Sequence, residues 1–327
     1  MKKCLITGGC GFIGSHLAEK LIQMGYKVII FDNLSNGNLK NIKKIKKKIT
    51  FVKCDISKIR NNSKYFKNVS TVFHLAALAD IVPSIQKPEE YFNSNVKGTL
   101  NVLQLSRKFK IKKFIYAASS SCYGIPKKYP TSESEKLNPI YPYAVTKKMG
   151  EDLALKWADI YKLNVTSLRF FNIYGLRSRT SGTYGAMFGV FLAQKINNSP
   201  LTIVGDGKQK RDFLNIKDAV EAIIKSSKLK KNKLILNIGS GKCYSINYIA
   251  NLICNKNKVW LPKRPGEPDI TWSNISKAKK ILNWSPSIKI EDGVKELINN
   301  INYWKNAPIW NKKKIKETTR DWFKYLS

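Results

Sequence analysis

The chain has 327 residues, 43% of them hydrophobic, enough to bury the core of one large α/β domain or of two joined units. Lys and Arg outnumber Asp and Glu by 59 to 22, for a formal net charge of +37, yet the densest basic run, LKNIKKIKKKI at 39–49, has no interleaved aromatics, which argues against nucleic-acid binding and leaves attraction of small anions. No apolar run reaches the roughly 20 residues of a membrane span, and six cysteines with two histidines form no metal-ligating spacing, so the expectation is a cytoplasmic protein with reduced thiols and no metal.

The first 33 residues carry a strong signal. KCLITGGCGFIGSHLAEKLIQMGYKVIIFDN (3–33) reads as strand, turn, helix, strand. Gly9, Gly11 and Gly14 satisfy G-x-G-x-x-G, and Gly8 extends the glycine spacing backwards. A dinucleotide pyrophosphate must approach the backbone closely, and a Cβ would block it; the helix start then offers free N–H groups and partial positive charge. Asp32 closes the second strand, where a carboxylate accepts both ribose hydroxyls and repels a 2′-phosphate. NAD is therefore expected over NADP.

The alternation continues. ITFVKCDI (49–56), STVFHLAA (70–77) and KKFIYAASS (112–120) read as buried strands, and PEEYFNSNVKGTLNVLQLSRKF (88–109) as one long helix. Strands alternating with helices predict a Rossmann-type α/β fold, a doubly wound parallel sheet.

IYPYAVTKKM (140–149) places Tyr143 and Lys147 one helical turn apart on one face. A free phenol with a pKa near 10 is a poor base at neutral pH. An adjacent ammonium, together with the positive nicotinamide ring of a bound NAD, is expected to lower that value and favour the phenolate. Ser119, near the carboxyl end of a predicted strand, is placed to relay a proton to Tyr143 from a substrate hydroxyl.

In this order and spacing, TGGCGFIG, CDI, HLAA, SNVKGTLNVL, SSSCYG, YAVTK, RFFNIYG, VGDGKQKRDF and RPGEPD resemble the extended short-chain dehydrogenase/reductase family over nearly the whole chain, specifically its NAD-dependent nucleotide-sugar epimerases and dehydratases. The resemblance implies an NAD-binding set of Gly8, Gly11, Phe12, Ile13, Gly14, Asp32, Asn33, Asp55, Ile56, Leu75, Ala76, Ala77, Asn95 and Lys147. In it, Asp55 and Ile56 would meet the adenine, and Asn95 would support the catalytic helix. It implies catalysis by Tyr143, Lys147 and Ser119. Asn172, Arg211 and Arg264 would hold a nucleotide-sugar diphosphate, a role that suits arginine's bidentate fork. Ser120 and Ser121 stand where dehydratases of the family carry an Asp-Glu pair, so the triple serine resembles the UDP-hexose 4-epimerases. Thr271, seven residues after Arg264, stands where a bulky aromatic excludes N-acetyl sugars, so acceptance of UDP-N-acetylhexosamines is expected. The alternatives are a 4,6-dehydratase or another 4-keto-forming sugar enzyme and, more remotely, an NAD-sensing or basic nucleic-acid-binding protein.

The expected division is an NAD-binding domain over 1–172, to which the chain returns near 209–240, and a smaller α/β substrate-binding domain over 173–327. YGAMFGVFLAQKINN (184–198), NIKDAVEAIIKSS (215–227) and SINYIANLICN (245–255) read as helices, the last two with Asn215 and Ser245 as caps. The Trp- and Lys-rich tail should lay its aromatics on the protein's own apolar surface. The family commonly forms homodimers through helices of the sheet domain, here 90–109 and 143–162.

Overall fold

The computed structural model describes residues 2–178, 187–255 and 257–326. The first strands are β1 (Lys3–Thr7), β2 (Lys27–Asp32), β3 (Ile49–Lys53), β4 (Thr71–His74), β5 (Lys113–Ser119) and β6 (Val165–Phe170). With Leu234–Ile238 they form one seven-stranded sheet in the order Leu234–Ile238, β6, β5, β4, β1, β2, β3. Each adjacent pair in it is parallel. The order reverses between β1 and β4, and ligands of such sheets bind at that switch point, beyond the carboxyl ends of the strands.

The helices of this half are α1 (Phe12–Gln23), α2 (Ile81–Gln86), α3 (Pro88–Phe92), α4 (Gly98–Lys108) and α5 (Pro142–Tyr161). They cover both faces of the sheet. One buried layer joins α1 and the helix Ile216–Ser227 to the sheet through Leu17, Leu21, Ile30, Leu168 and Ile223. The opposite layer joins α4 and α5 through Leu5, Val72, Leu103, Phe114 and Ala154. Burial on both faces explains why the strands are apolar runs and not alternating ones.

Several boundaries differ from the sequence reading. β3 ends at Lys53, short of the expected 56, because Asp55 caps the following 3-10 turn, its Oδ1 accepting from the Ser57 N–H at 2.8 Å. β4 ends at His74, opposite Thr7 at the end of β1, so Leu75, Ala76 and Ala77 are loop and not strand. The expected helix 88–109 is broken by a single π turn at Asn93–Lys97 between α3 and α4. Asn95 sits in that turn and is tied at both ends of its amide to Leu78, and π turns of this kind recur at functional positions.

Beyond β6 the strands are short. Asn172–Tyr174 pairs with Phe213–Asn215, Lys210–Arg211 lies between Tyr244–Ser245 and Ile270–Thr271, and Leu201–Val204 pairs with Lys258–Leu261. These strands and the helices Met187–Ile196, Ile246–Ile253 and Ile290–Asn299 enclose a separate apolar cluster that includes Tyr174, Phe191, Ile249 and Trp304. Residues 184–186 of one expected helix lie outside the described residues. Asn215 and Ser245 cap their helices, accepting from the N–H groups of Lys217 and Tyr248.

A buried ionic network fixes α5 to β6. Arg169 Nη2 meets Glu151 Oε1 at 2.5 Å, and the Ser167 hydroxyl donates to Glu151 Oε2 at 2.6 Å. Arg169 Nη1 also donates to the Tyr123 hydroxyl at 2.9 Å, and Tyr123 donates to Asn237 at 2.7 Å. Both charged side chains are almost fully buried. Removing one partner of such a pair strands the other charge out of water. Arg169→Met is therefore expected to lower unfolding free energy by about 3–5 kcal/mol in urea denaturation, with a smaller loss in the Arg169→Met/Glu151→Leu double variant.

Candidate active site

The glycine turn that closes β1 forms one wall of a crevice of about 670 Å3 at the switch point. Gly8 has φ +73°, and a Cβ there would lie 2.9 Å from the Ala76 backbone. A Cβ on Gly14 would come within 2.2 Å of the Gly8 carbonyl oxygen. Both positions therefore need glycine, and the start of α1 remains open to an anion.

Asp32 ends β2 with its carboxylate fixed by two backbone donors, the N–H of Cys10 at 2.9 Å and that of Leu34 at 2.8 Å. Burial raises its pKa, and those two hydrogen bonds offset only part of the rise. The crevice is lined by Gly8, Gly11, Phe12, Ile13, Gly14, Asp32, Asn33, Asp55, Ile56, Leu75, Ala76 and Ala77. Two glycine contacts that exclude a Cβ, an anchored acid at the end of the second strand and a long groove between them fit a dinucleotide. Asn95 and Lys147 are not among the lining residues.

Asn95 acts through neighbours. Its amide bonds both backbone groups of Leu78 and donates to the Thr146 hydroxyl at 3.1 Å, and Thr146 donates to the Tyr143 carbonyl at 2.9 Å. His74 bridges Thr7 and Thr99 by hydrogen bonds of 2.8 and 2.9 Å. Burial, followed by the charge of Lys147, pushes its pKa down to about 3, so this imidazole is neutral and ties β1 to β4 and α4.

Tyr143 lies in the first turn of α5, with Pro142 at its start, where a missing N–H costs no helical bond. Its hydroxyl is near enough to Ser119 and Ser121 for both to lower its pKa, and the hydroxyls of those two serines are 2.7 Å apart. Lys147, one turn on, is buried with its ammonium 4.4 Å from the centre of the Tyr116 ring. Burial lowers its pKa to about 8.

Burial removes hydration from the phenolate and raises the Tyr143 phenol to about 12 in the protein alone, with Ser119 and Ser121 acting in the opposite direction. The expected lowering includes the charge of a bound nicotinamide ring.

A second cavity of about 360 Å3 abuts the crevice, and the two share Ala79, Asp80 and Ile173 as a common wall. Asp80 is close enough to Tyr143 for its charge to raise the phenol further. Asn172, Arg211 and Arg264 line this cavity together with Glu267. Arg211 Nη2 meets Glu267 Oε1 at 2.9 Å, and Arg264 Nη1 lies 3.8 Å from Glu267 Oε2, so one carboxylate stands between two guanidinium groups. Thr271 does not line the cavity; its hydroxyl accepts from the Asn172 amide at 3.0 Å. Ser119, Ser120, Ser121 and Tyr143 are not among the lining residues of either cavity, and Ser120 follows Ser119 in a 3-10 turn.

Sequence reasoning missed four features of the site. Asp80 begins α2, which no periodicity announced. Glu267 stands three residues after Arg264, a spacing that was available to be read. Tyr141, two residues before Tyr143, stacks parallel to it at 6.4 Å. Thr319 and Trp322 reach the second cavity from the C-terminal tail, and no local pattern places them there.

Comparison with known proteins follows the same lines. The NAD dependent epimerase/dehydratase family model matches residues 4–239. A putative UDP-glucose 4-epimerase of Methanocaldococcus jannaschii is 35% identical over 302 residues, covering 90% of this chain and 97% of that protein. The crystal structure of the UDP-glucose 4-epimerase of Thermotoga maritima with UDP-glucose superposes with a TM-score of 0.87 at 31% identity, covering 93% of this chain and 99% of that one. The UDP-glucuronic acid 4-epimerase of Bacillus cereus, in complex with UDP-glucuronic acid and NAD, gives a TM-score of 0.85 at 32% identity, covering 92% and 99%. A glycine cradle, an anchored acid and a Tyr-Lys-Ser cluster thus stand on a sheet shared end to end with these enzymes, and the chain belongs to the NAD-dependent epimerase/dehydratase family.

Proposed function

We propose that the protein is an NAD-dependent 4-epimerase that interconverts UDP-hexoses or UDP-N-acetylhexosamines through a 4-keto sugar. The observation that carries this reading is Tyr143 on the first turn of α5 beside the hydrogen-bonded Ser119–Ser121 hydroxyl pair, both members of which lower its pKa. Hydroxyls and no carboxyl groups follow Ser119, so proton transfer at a sugar alcohol is supported and β-elimination lacks its acid and base.

NAD supplies the hydride acceptor and donor, with a positive ring in its oxidised form that favours the phenolate. Gly8, Gly11 and Gly14 would admit its pyrophosphate, Asp32 its adenosine ribose and Lys147 its nicotinamide ribose. Tyr143, with Ser119 as relay, takes the C4 hydroxyl proton and later returns it. Asn172, Arg211 and Arg264 hold the diphosphate while the keto sugar turns over between the two half-reactions. Proton and hydride both return to the sugar, so no net oxidation occurs.

In this reading residues 1–172, with the returning segment 209–240, form the NAD-binding unit, and the remainder grips the nucleotide sugar. A homodimer through segments 90–109 and 143–162 fits the exposed apolar side chains Phe92, Val145, Met149 and Ile160 on them. No described helix is long and apolar enough to cross a membrane.

Tyr143→Phe should lower kcat for UDP-glucose/UDP-galactose interconversion, followed by proton NMR, by about 10²–10⁴-fold, with UDP affinity retained; undiminished turnover would refute the mechanism. Gly14→Ala should lower NAD affinity about 100-fold in fluorescence titration, since the added Cβ meets the Gly8 carbonyl. Thr271→Tyr should cut the kcat/KM ratio of UDP-N-acetylglucosamine to UDP-glucose about tenfold or more. An unchanged ratio would remove Thr271 from substrate selection.

A further inference from the structure

The C-terminal tail takes no part in the chemistry above, yet it supplies two side chains to the substrate cavity, Thr319 and Trp322. Its course is set by apolar burial. Ile315, on the helix Lys312–Thr318, is buried with Val204 and Leu261, and Trp310 packs on the same cluster. The Thr319 hydroxyl donates to the Ile315 carbonyl at 2.8 Å as the chain turns into the helix Arg320–Tyr325. Asp321 accepts from the Gln86 amide at 2.7 Å, which fastens this last helix to α2.

Trp322 is 5% exposed and is bound on three sides. Its indole N–H donates to the Pro265 carbonyl at 2.7 Å. The guanidinium carbon of Arg264 lies 5.1 Å from the ring centre. Tyr141 meets it at a centroid distance of 6.5 Å, and Tyr141 in turn stacks on Tyr143. One indole thus contacts both the arginine proposed for the diphosphate and the aromatic neighbour of the proposed base. A guanidinium against an aromatic face keeps its N–H groups at the edge of the plane, the arrangement that a bidentate phosphate contact requires.

We propose that Trp322 is a positioning residue: the C-terminal strap uses it to hold Arg264, and through Arg264 it sets affinity for the nucleotide diphosphate. This rests on the reading that Arg264 binds the diphosphate, and the test separates the two. UDP binding to the NAD-loaded full chain is measured by calorimetry, and steady-state kinetics are measured with UDP-glucose. Trp322→Ala should weaken UDP binding and raise KM about tenfold, leaving kcat within about twofold and NAD affinity unchanged. Trp322→Phe keeps a ring but loses the indole donor and should give a smaller shift. Arg264→Gln should weaken UDP binding, and adding Trp322→Ala to it should cause no further loss.

If Arg264→Gln leaves UDP binding intact, the diphosphate reading falls and takes this inference with it. If Arg264→Gln weakens UDP binding but the Trp322 variants do not, or if the two losses add in full, the strap inference is overturned and the diphosphate reading stands. Should Trp322→Ala fail to fold, Trp322→Phe and its double variant with Arg264→Gln make the same comparison.

Discussion

The start of α5 takes a phenol and an ammonium out of water within one helical turn, and much of the surrounding structure serves to keep them there. Burial disfavours the charged form of each: it raises Tyr143 and lowers Lys147. A site of this kind stores proton affinity that a bound cation or a change in hydrogen bonding can release. Its geometry must therefore be held from outside. Three sets of contacts do so: Asn95 through Thr146, the Glu151–Arg169 pair one turn beyond Lys147, and the serine turn after β5.

The same contacts connect the catalytic helix to both binding cavities. Asn95 belongs to a π turn between α3 and α4 and grips Leu78 on the loop that leaves β4. That loop continues into Ala79 and Asp80, the wall common to the dinucleotide crevice and the substrate cavity. Tyr91, on α3, accepts from the Asp80 N–H at 3.1 Å and presents its ring edge to Tyr143. Ala79, Asp80 and Ile173 thus face both cavities, which adjoin along that edge.

Much of the first half was legible because its signals are local. The strand, glycine turn and helix of residues 3–23 follow from apolar periods and from positions where a Cβ cannot stand. Asn215 and Ser245 were readable as caps because a cap acts over two or three residues. The doubly wound parallel sheet and the family were both anticipated, whereas the strands Val165–Phe170 and Leu234–Ile238 were not. What escaped was set by packing between distant segments. Trp322 meets a carbonyl 57 residues earlier in the chain, and Arg169 finds Glu151 across a strand and a helix. The burial of Tyr143, the largest influence on its phenol in the protein alone, depends on the whole fold and has no local signal.

The carboxylate of Glu267, lodged between Arg211 and Arg264, has a further meaning in so basic a protein. A surface with a net charge of +37 draws in every small anion of the solution, and two bare guanidinium groups would retain many of them. An acid already seated between them sets a threshold. Chloride or a lone carboxylate offers the arginines little that Glu267 does not, whereas a ligand with adjoining phosphates brings enough charge and enough acceptor oxygens to engage both forks at once. Under the proposed diphosphate role of the two arginines, selectivity for a polyanion would be achieved by a negative residue, which discounts weak competitors before they are bound.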